Sequence, residues 1–140
     1  MKSEKSYIQH LKKLHFVEAV YRLWKQAGGK LDLSKYCPLA AASVAPQFYL
    51  APTHALEIYA QYKNTGTTEA KKGMTQQMYV ELFKRYEQLL AENDSKNTHL
   101  SKYSIMQDAI ETQAPSFFIE PSYAVNFYFR AMAYKRTLSK

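Results

Sequence analysis

The stretch Ala45-Pro-Gln-Phe-Tyr-Leu-Ala-Pro-Thr53 returns as Ala114-Pro-Ser-Phe-Phe-Ile-Glu-Pro-Ser122, at an offset of 69 residues. A duplicated unit should show further matching blocks in the same order, with the offset changing only at loops. Residues 16–22 match residues 79–85 at an offset of 63, and Leu33-Ser-Lys-Tyr36 matches Leu100-Ser-Lys-Tyr103 at 67. We therefore interpret the chain as a tandem duplication.

Each unit is predicted to begin with a long amphipathic helix. Apolar residues recur at steps of three or four over residues 7–26, and again from Met78 to Leu89. Gly28 and Gly29 should end the first of these helices, and Thr75 is the expected N-cap of the second.

Two shorter helices should follow in each unit. The Ala-rich residues 38–44, with Pro38 in the first turn, predict the second helix, and Pro52 opens a third that runs to about Lys63. The second unit has the same order of elements. We therefore expect an all-α fold of six helices in two tandem three-helix repeats, each with a long helix, a short helix, an Ala-Pro-x-Phe turn and a third helix. The repeats are expected to pack with pseudo-twofold symmetry.

The chain has 140 residues, the usual size of one domain. Within it we predict repeat 1 at residues 1–63, a linker at 64–73 and repeat 2 at 74–140. The start of the sequence has no apolar run typical of a signal peptide, no membrane span is predicted, and the single Cys37 has no intramolecular disulfide partner. These features favour a cytoplasmic protein.

The repeated turn is interpreted as a structural joint. Its prolines stiffen the connection, and its first aromatic residue is expected to fill the gap between helices. Whether the second aromatic residue, Tyr49 or Phe118, is buried or exposed stays open at this stage. The residues assigned to the joint are Pro46, Phe48, Pro52, Pro115, Phe117 and Pro121.

The sequence offers no catalytic constellation. His10, His15, His54 and His99 lack metal-ligand spacing, and there is no Gly-rich phosphate loop or nucleophile elbow. A lone Cys such as Cys37 is more often a small buried hydrophobic residue than a nucleophile. We therefore expect a non-enzymatic protein without metal or cofactor.

Basic charge is concentrated near the start of the chain. The net charge is +7, and residues 1–36 carry eight Lys or Arg against three Asp or Glu, which is +5. This balance suits a polyanion such as nucleic acid, through neutralisation of phosphates. A basic surface that only keeps the protein in solution is the open alternative.

The layout of each unit is similar, at the level of the module, to tri-helical helix-turn-helix domains, whose third helix enters the major groove of DNA. The segment from Phe48 to Tyr59 carries this resemblance, although Tyr49 and two prolines depart from the usual turn. The resemblance implies DNA binding by the third helices, and more by the second unit, because Glu57 of the first would repel phosphate. The predicted contact residues are Ser122, Tyr123, Asn126, Arg130, Lys135 and Arg136, with Lys12 and Lys13 on the first helix.

A helical protein-interaction or structural module without nucleic acid is the alternative. The chain has 20 aromatic residues, 12 of them Tyr, a type enriched at protein interfaces. The aromatic residues proposed for such a surface are Tyr59, Tyr62, Tyr128 and Phe129. If they were buried between the two units, they would instead belong to the core.

Overall fold

The computed structural model describes residues 4–66, 73–96 and 99–138. Within these segments it contains six α-helices and no β-strand, so the all-α prediction is confirmed. None of the helices found there is long and apolar enough to cross a membrane. The helices are α1 (Glu4–Ala27), α2 (Leu33–Ala42), α3 (Pro52–Thr65), α4 (Gly73–Ser95), α5 (Lys102–Ile110) and α6 (Ala124–Leu138), the last preceded by a 3-10 turn, Pro121–Tyr123.

Helix α2 begins earlier than the sequence predicts. The carbonyl oxygen of Asp32 accepts hydrogen bonds from the backbone of Lys35 at 3.1 Å and of Tyr36 at 2.9 Å, which closes the first turn. The predicted start at Pro38 is therefore wrong, and this proline lies inside the helix. Because proline has no N–H, it cannot donate to the carbonyl of Ser34, and α2 lacks one of its hydrogen bonds.

The ends of three other helices are set by local chemistry. Gly28 and Gly66, both in the left-handed region with φ of 73° and 75°, follow α1 and α3 and donate to carbonyls four residues back. Thr75 is the third residue of α4, so its predicted N-cap position is wrong. At the start of α5, the Ser101 hydroxyl accepts from the Ser104 N–H at 3.1 Å. Residues 67–72 of the predicted linker lie outside the described residues.

The first two helices of each predicted repeat pack together, whereas the third helices pack across the chain. In the first half, α1 packs against α2, and in the second, α4 packs against α5. The third helices, however, contact the second helices of the opposite halves, α6 against α2 and α3 against α5, and α6 also packs along α1. Each third helix is thus placed in the other half, and we call this arrangement the crossed packing.

The two Ala-Pro-x-Phe turns meet at the centre of the molecule. Ala45 and Ala114 form an antiparallel bridge, each backbone N–H donating to the other's carbonyl at 3.0 Å. Beside it, Phe48 N–H donates to the Ile110 carbonyl at 2.8 Å, and Phe117 N–H donates to Ala41 at 3.0 Å. Shifting both residues of one hydrogen bond by 69 positions, in opposite directions, gives the other hydrogen bond of the same pair.

The aromatic residues of the turns form the centre of the core. Phe48 and Phe117 are each 2% exposed, as expected for residues that fill the gap between helices. Phe48 stacks with Phe118 at 6.2 Å between ring centroids, and Tyr49 stacks with Phe117 at 6.0 Å. Tyr49 is buried and Phe118 half-buried, which resolves the question that the sequence left open.

The connections to the third helices differ from a helix-turn-helix. Residues 43–51 join α2 to α3, and residues 111–120 join α5 to the 3-10 turn before α6. A helix-turn-helix has a turn of roughly 3–4 residues, so that its consecutive helices pack directly. Here the longer connections carry each third helix to the opposite half, and the resemblance does not extend to this part of the fold.

Candidate functional site

Helix α6 presents one exposed side, which begins in the 3-10 turn. Ala124, Phe127 and Ala131 are buried at steps of three and four, so the residues between them point outward. Within α6 the basic residues are Arg130, Lys135 and Arg136, and there is no Asp or Glu. We define the outer face of α6 as the exposed residues Ser122, Tyr123, Asn126, Phe129, Arg130, Ala133 and Arg136.

Arg130 and Tyr123 form the best-defined contact on the outer face of α6. The guanidinium carbon of Arg130 lies 6.0 Å from the centroid of the Tyr123 ring, within the range of a cation–π interaction. This contact restrains the arginine while leaving its N–H groups open to solvent. An arginine held in this way suits bidentate contact with a phosphate.

Lys135 faces a different side of α6 from Arg130. It lines a groove of about 450 Å³ between α1 and α6, where Tyr128 and Met132 meet residues of α1. The sequence therefore grouped residues that the fold separates onto two sides of one helix. The groove, which we call the α1–α6 groove, is lined by Val17, Glu18, Val20, Tyr21, Arg22, Trp24, Leu31, Tyr128, Met132 and Lys135.

Lys12 and Lys13 pack against the inner side of α6. Both are half-buried, and their ammonium nitrogens lie 5.8 Å from the ring centroids of Phe127 and Tyr134 respectively. Burial lowers the pKa of Lys12 to about 8. The fold therefore keeps these two lysines apart from the outer face of α6, on which the predicted nucleic-acid contacts of the last helix lie.

Two adjoining cavities flank Lys12, and we call them together the Lys12 cleft. The larger has a volume of about 470 Å³ and the smaller about 300 Å³, and Lys12, Thr75 and Phe118 line both. The sequence analysis did not identify this cleft. A usable signal exists, because Lys12 falls at a step of four within the otherwise apolar stripe of Ile8, Phe16 and Val20.

A polar pair of the buried Tyr49 and the half-buried His15 supports one wall of the Lys12 cleft. The Tyr49 hydroxyl lies 2.6 Å from Nδ1 of His15. Burial lowers the pKa of His15 and raises that of Tyr49, so both groups are neutral at pH 7. A neutral imidazole protonated on Nε2 accepts this hydrogen bond from the phenol, which satisfies both groups.

The corresponding side of α3 is less basic. Thr53, His54, Glu57 and Gln61 are exposed, and His54 Nδ1 lies 3.9 Å from a Glu57 carboxylate oxygen. Lys63, the basic residue of the last turn, is 3.4 Å from Glu87 of α4. The positive charge on this helix is therefore balanced by neighbouring carboxylates.

Most of the aromatic residues suggested for a protein-binding surface are partly covered. Tyr59 and Tyr62 of α3 pack against Phe83 of α4 at 5.1 and 5.2 Å, and the Tyr59 hydroxyl donates to Glu87 at 2.9 Å. These two residues join the two halves. Phe129, by contrast, is 54% exposed.

The remaining reactive groups are the possible metal ligands and the single cysteine. Among the described residues, no group of three or more His, Cys, Asp or Glu could hold a metal ion. Cys37 is fully buried, and burial raises the pKa of its thiol to about 11, so it is protonated at pH 7 and a poor nucleophile. Compared with known protein families, curated proteins and solved structures, the chain matches none.

Proposed function

We propose that the protein binds nucleic acid, and specifically duplex DNA, through the outer face of α6 and without catalysing a reaction. The observation that carries the proposal is that α6 exposes basic side chains along one side and contains no carboxylate to oppose them. Phosphate contacts by such side chains release counterions from DNA and supply sequence-independent affinity. A cytoplasmic location, expected from the sequence, is part of the same proposal.

The contrast between the third helices supports the choice of α6. At the offset of 69, Glu57 corresponds to Asn126 and Gln61 to Arg130. Asparagine and arginine can hydrogen-bond to base edges and phosphates, whereas a glutamate would repel phosphate. We therefore assign the contact to the second half of the chain alone.

The proposal is tested by the salt dependence of binding to a fluorescent duplex. The wild type should bind at about 50 mM salt, with affinity that falls steeply as salt is added. The Arg130→Gln, Arg136→Gln double variant should bind more weakly and lower the slope of log K against log[salt] by about 2, because each lost phosphate contact removes about 0.9.

A matched control is the Lys84→Gln, Lys102→Gln double variant, which removes the same charge from exposed positions on α4 and α5. It should keep the wild-type slope. Absence of binding by the wild type at low salt would contradict nucleic-acid binding altogether. An equal loss in the control variant would mean that net charge, and not the outer face of α6, determines the affinity.

We also infer that the chain is a tandem duplication whose halves are related by a pseudo-twofold axis through the Ala45–Ala114 bridge. Two observations support this inference. The central hydrogen bonds form two pairs in which each bond matches the other at an offset of 69 residues. The Phe48–Phe118 and Tyr49–Phe117 stacks match each other at the same offset. A twofold axis relates matching contacts in this way.

The α1–α6 groove favours a second candidate function, the binding of an acidic segment of another protein. Its exposed apolar residues include Tyr21 and Leu31, at 55% and 39% exposure. Two basic residues, Arg22 and Lys135, outnumber the one carboxylate of the groove, Glu18. A Leu31→Asp variant should abolish binding of such a partner through charge repulsion and leave DNA binding intact. Loss of DNA binding in that variant would instead connect the groove with nucleic acid.

A further inference from the structure

Lys12 stands in a cleft whose walls are both apolar and polar, and we propose that the Lys12 cleft binds a small molecule consisting of one carboxylate and an apolar body. This would be a second site, which adjoins the outer face of α6 at Tyr123. It lies where α1, α3, α4 and the two Ala-Pro-x-Phe turns come together. Sites for small ligands are common at such junctions between structural units.

The position of Lys12 provides the first argument. It stands one turn from Ile8 and one turn from Phe16, which are 9% and 0% exposed. Its ammonium nitrogen lies 5.8 Å from the centroid of the Phe127 ring, and among the described residues no carboxylate oxygen lies within 4 Å of it. A lysine in such surroundings ordinarily pairs with an anion, because burial of an unpaired charge is costly.

The residues that line the cleft indicate the size of the ligand and the apolar character of the part that carries the carboxylate. The larger cavity is lined by apolar side chains together with a few polar groups at His54, Thr75 and Gln9. Its volume of about 470 Å³ lies in the range of pockets that hold small organic molecules. The apolar residues that would contact the ligand are Ile8, Leu50, Ala51, Met78 and Phe118.

The charge of the cleft limits the ligand to a single negative charge. One lysine supplies the positive charge, whereas Glu120 lines the smaller cavity and would oppose a second anionic group. A phosphate with two negative charges would exceed the charge of the one lysine. A monocarboxylate matches the one cation.

The backbone at Phe118 provides an independent indication. Its φ of 55° is the one left-handed value at a non-glycine residue among the described segments. Large side chains rarely adopt this conformation, and where it persists it is often at a ligand site. The Phe118 ring lines both cavities of the Lys12 cleft, so this conformation sets the shape of the wall between them.

Binding of octanoate, with octanol as the uncharged control ligand, tests the proposal. Calorimetric titration of the wild-type protein should detect octanoate at millimolar concentration and octanol at least about tenfold more weakly, because octanol lacks the partner for the ammonium. The Lys12→Met variant keeps the side-chain stem and should lose this preference. Lys13→Met, on the same helix but outside the cleft, should retain it.

The pH dependence gives a second readout on the wild type alone. Because the pKa of unliganded Lys12 is about 8, octanoate affinity should be constant below that pH and fall about tenfold per unit above it, as the ammonium loses its proton. The decline should be absent in Lys12→Met. The other titratable groups that line the cleft are Tyr49, His54, Tyr79, Glu120 and Tyr123.

Three results would overturn the proposal: no octanoate binding by the wild type, equal binding of octanoate and octanol, or inorganic phosphate binding as tightly as octanoate. Circular dichroism and thermal melting show whether Lys12→Met remains folded, which we expect because the change removes a buried charge. The two proposed sites share Tyr123, and variants on either side of it distinguish them. Lys12→Met should leave duplex binding unchanged, and the Arg130, Arg136 variant should leave octanoate binding unchanged.

Discussion

Position 49 carries a tyrosine, and its counterpart at 118 carries a phenylalanine. The histidine that pairs with this tyrosine, His15, corresponds to Met78 at the offset of 63 between the long helices. The first half therefore has a hydrogen-bonded pair where the second half has two apolar side chains. A histidine with a tyrosine, or a methionine with a phenylalanine, leaves no hydrogen-bonding group unsatisfied. One polar and one apolar side chain at these two positions would leave the polar group without its partner.

This contrast predicts a strongly non-additive mutant cycle. His15→Met should lower the free energy of unfolding by about 1–3 kcal/mol, because it leaves the buried Tyr49 hydroxyl without its acceptor. Tyr49→Phe should lower it by less, because the half-buried His15 ring can bind water. The double variant should lie within about 1 kcal/mol of the wild type, since it reproduces the apolar pair of the second half. Urea denaturation of the four proteins measures the coupling, and simple additivity would contradict the assignment.

At the scale of the element, the start of α5 depends on one side chain and the start of α2 does not. Ser101 accepts the Ser104 N–H, whereas the Asp32 side chain accepts no backbone N–H at the cap and instead accepts the Ser34 hydroxyl at 2.7 Å. Helix α2 is closed by the backbone carbonyl of Asp32. The two caps therefore differ in their sensitivity to mutation.

We expect Ser101→Ala to lower the free energy of unfolding by about 1 kcal/mol, because it removes the acceptor for an N–H of the first turn. Asp32→Ala is the control and should change stability by less than about 0.5 kcal/mol. Thermal and urea unfolding of both variants provide the comparison. Equal effects would show that the Ser101 hydroxyl contributes no capping energy.

The helices themselves are readable from the sequence, whereas their ends and partners are only partly so. Apolar periodicity identified α1 and α4 because it reports which side of a helix is buried. It does not report what covers that side, so the crossed packing was not predicted. Pro38 led to a predicted start of α2 that is too late. The first turn of this helix is formed by hydrogen bonds to a backbone carbonyl, which every residue type has, so the sequence does not reveal it.

The candidate site shows the same division. The exposed positions of α6 follow from helical spacing, but Lys135 belongs to the α1–α6 groove, and this depends on how α1 and α6 pack. Lys12 was predicted as a nucleic-acid contact because basic charge is concentrated on the first helix. Only the apolar stripe around it could have indicated otherwise.

At the scale of the whole molecule, the crossed packing makes the two halves depend on each other. Helix α6 covers α1 and α2, and α3 packs against α5, so neither half contains the helix that buries its own apolar surface. The half that lacks its covering helix exposes core residues to water. We therefore expect the two halves to unfold together in one cooperative transition.

Cutting the chain between α3 and α4 tests this dependence. We expect fragments 1–66 and 73–140 to show no cooperative unfolding as separate monomers, and to form a helical 1:1 complex when mixed. Circular dichroism and sedimentation measure the two properties. Cooperative unfolding of monomeric 73–140 would contradict the crossed packing.

The meeting of the two halves also explains how a charged cleft can exist at their junction. In a dimer of identical subunits, every residue near the twofold axis faces its own copy, so a lysine there would meet a second lysine in an apolar space. Lys12 instead shares both of its cavities with Thr75, its counterpart at the offset of 63. Under the proposed duplication, joining the halves in one chain allows them to diverge, and the difference between Lys12 and Thr75 leaves the cleft with one lysine.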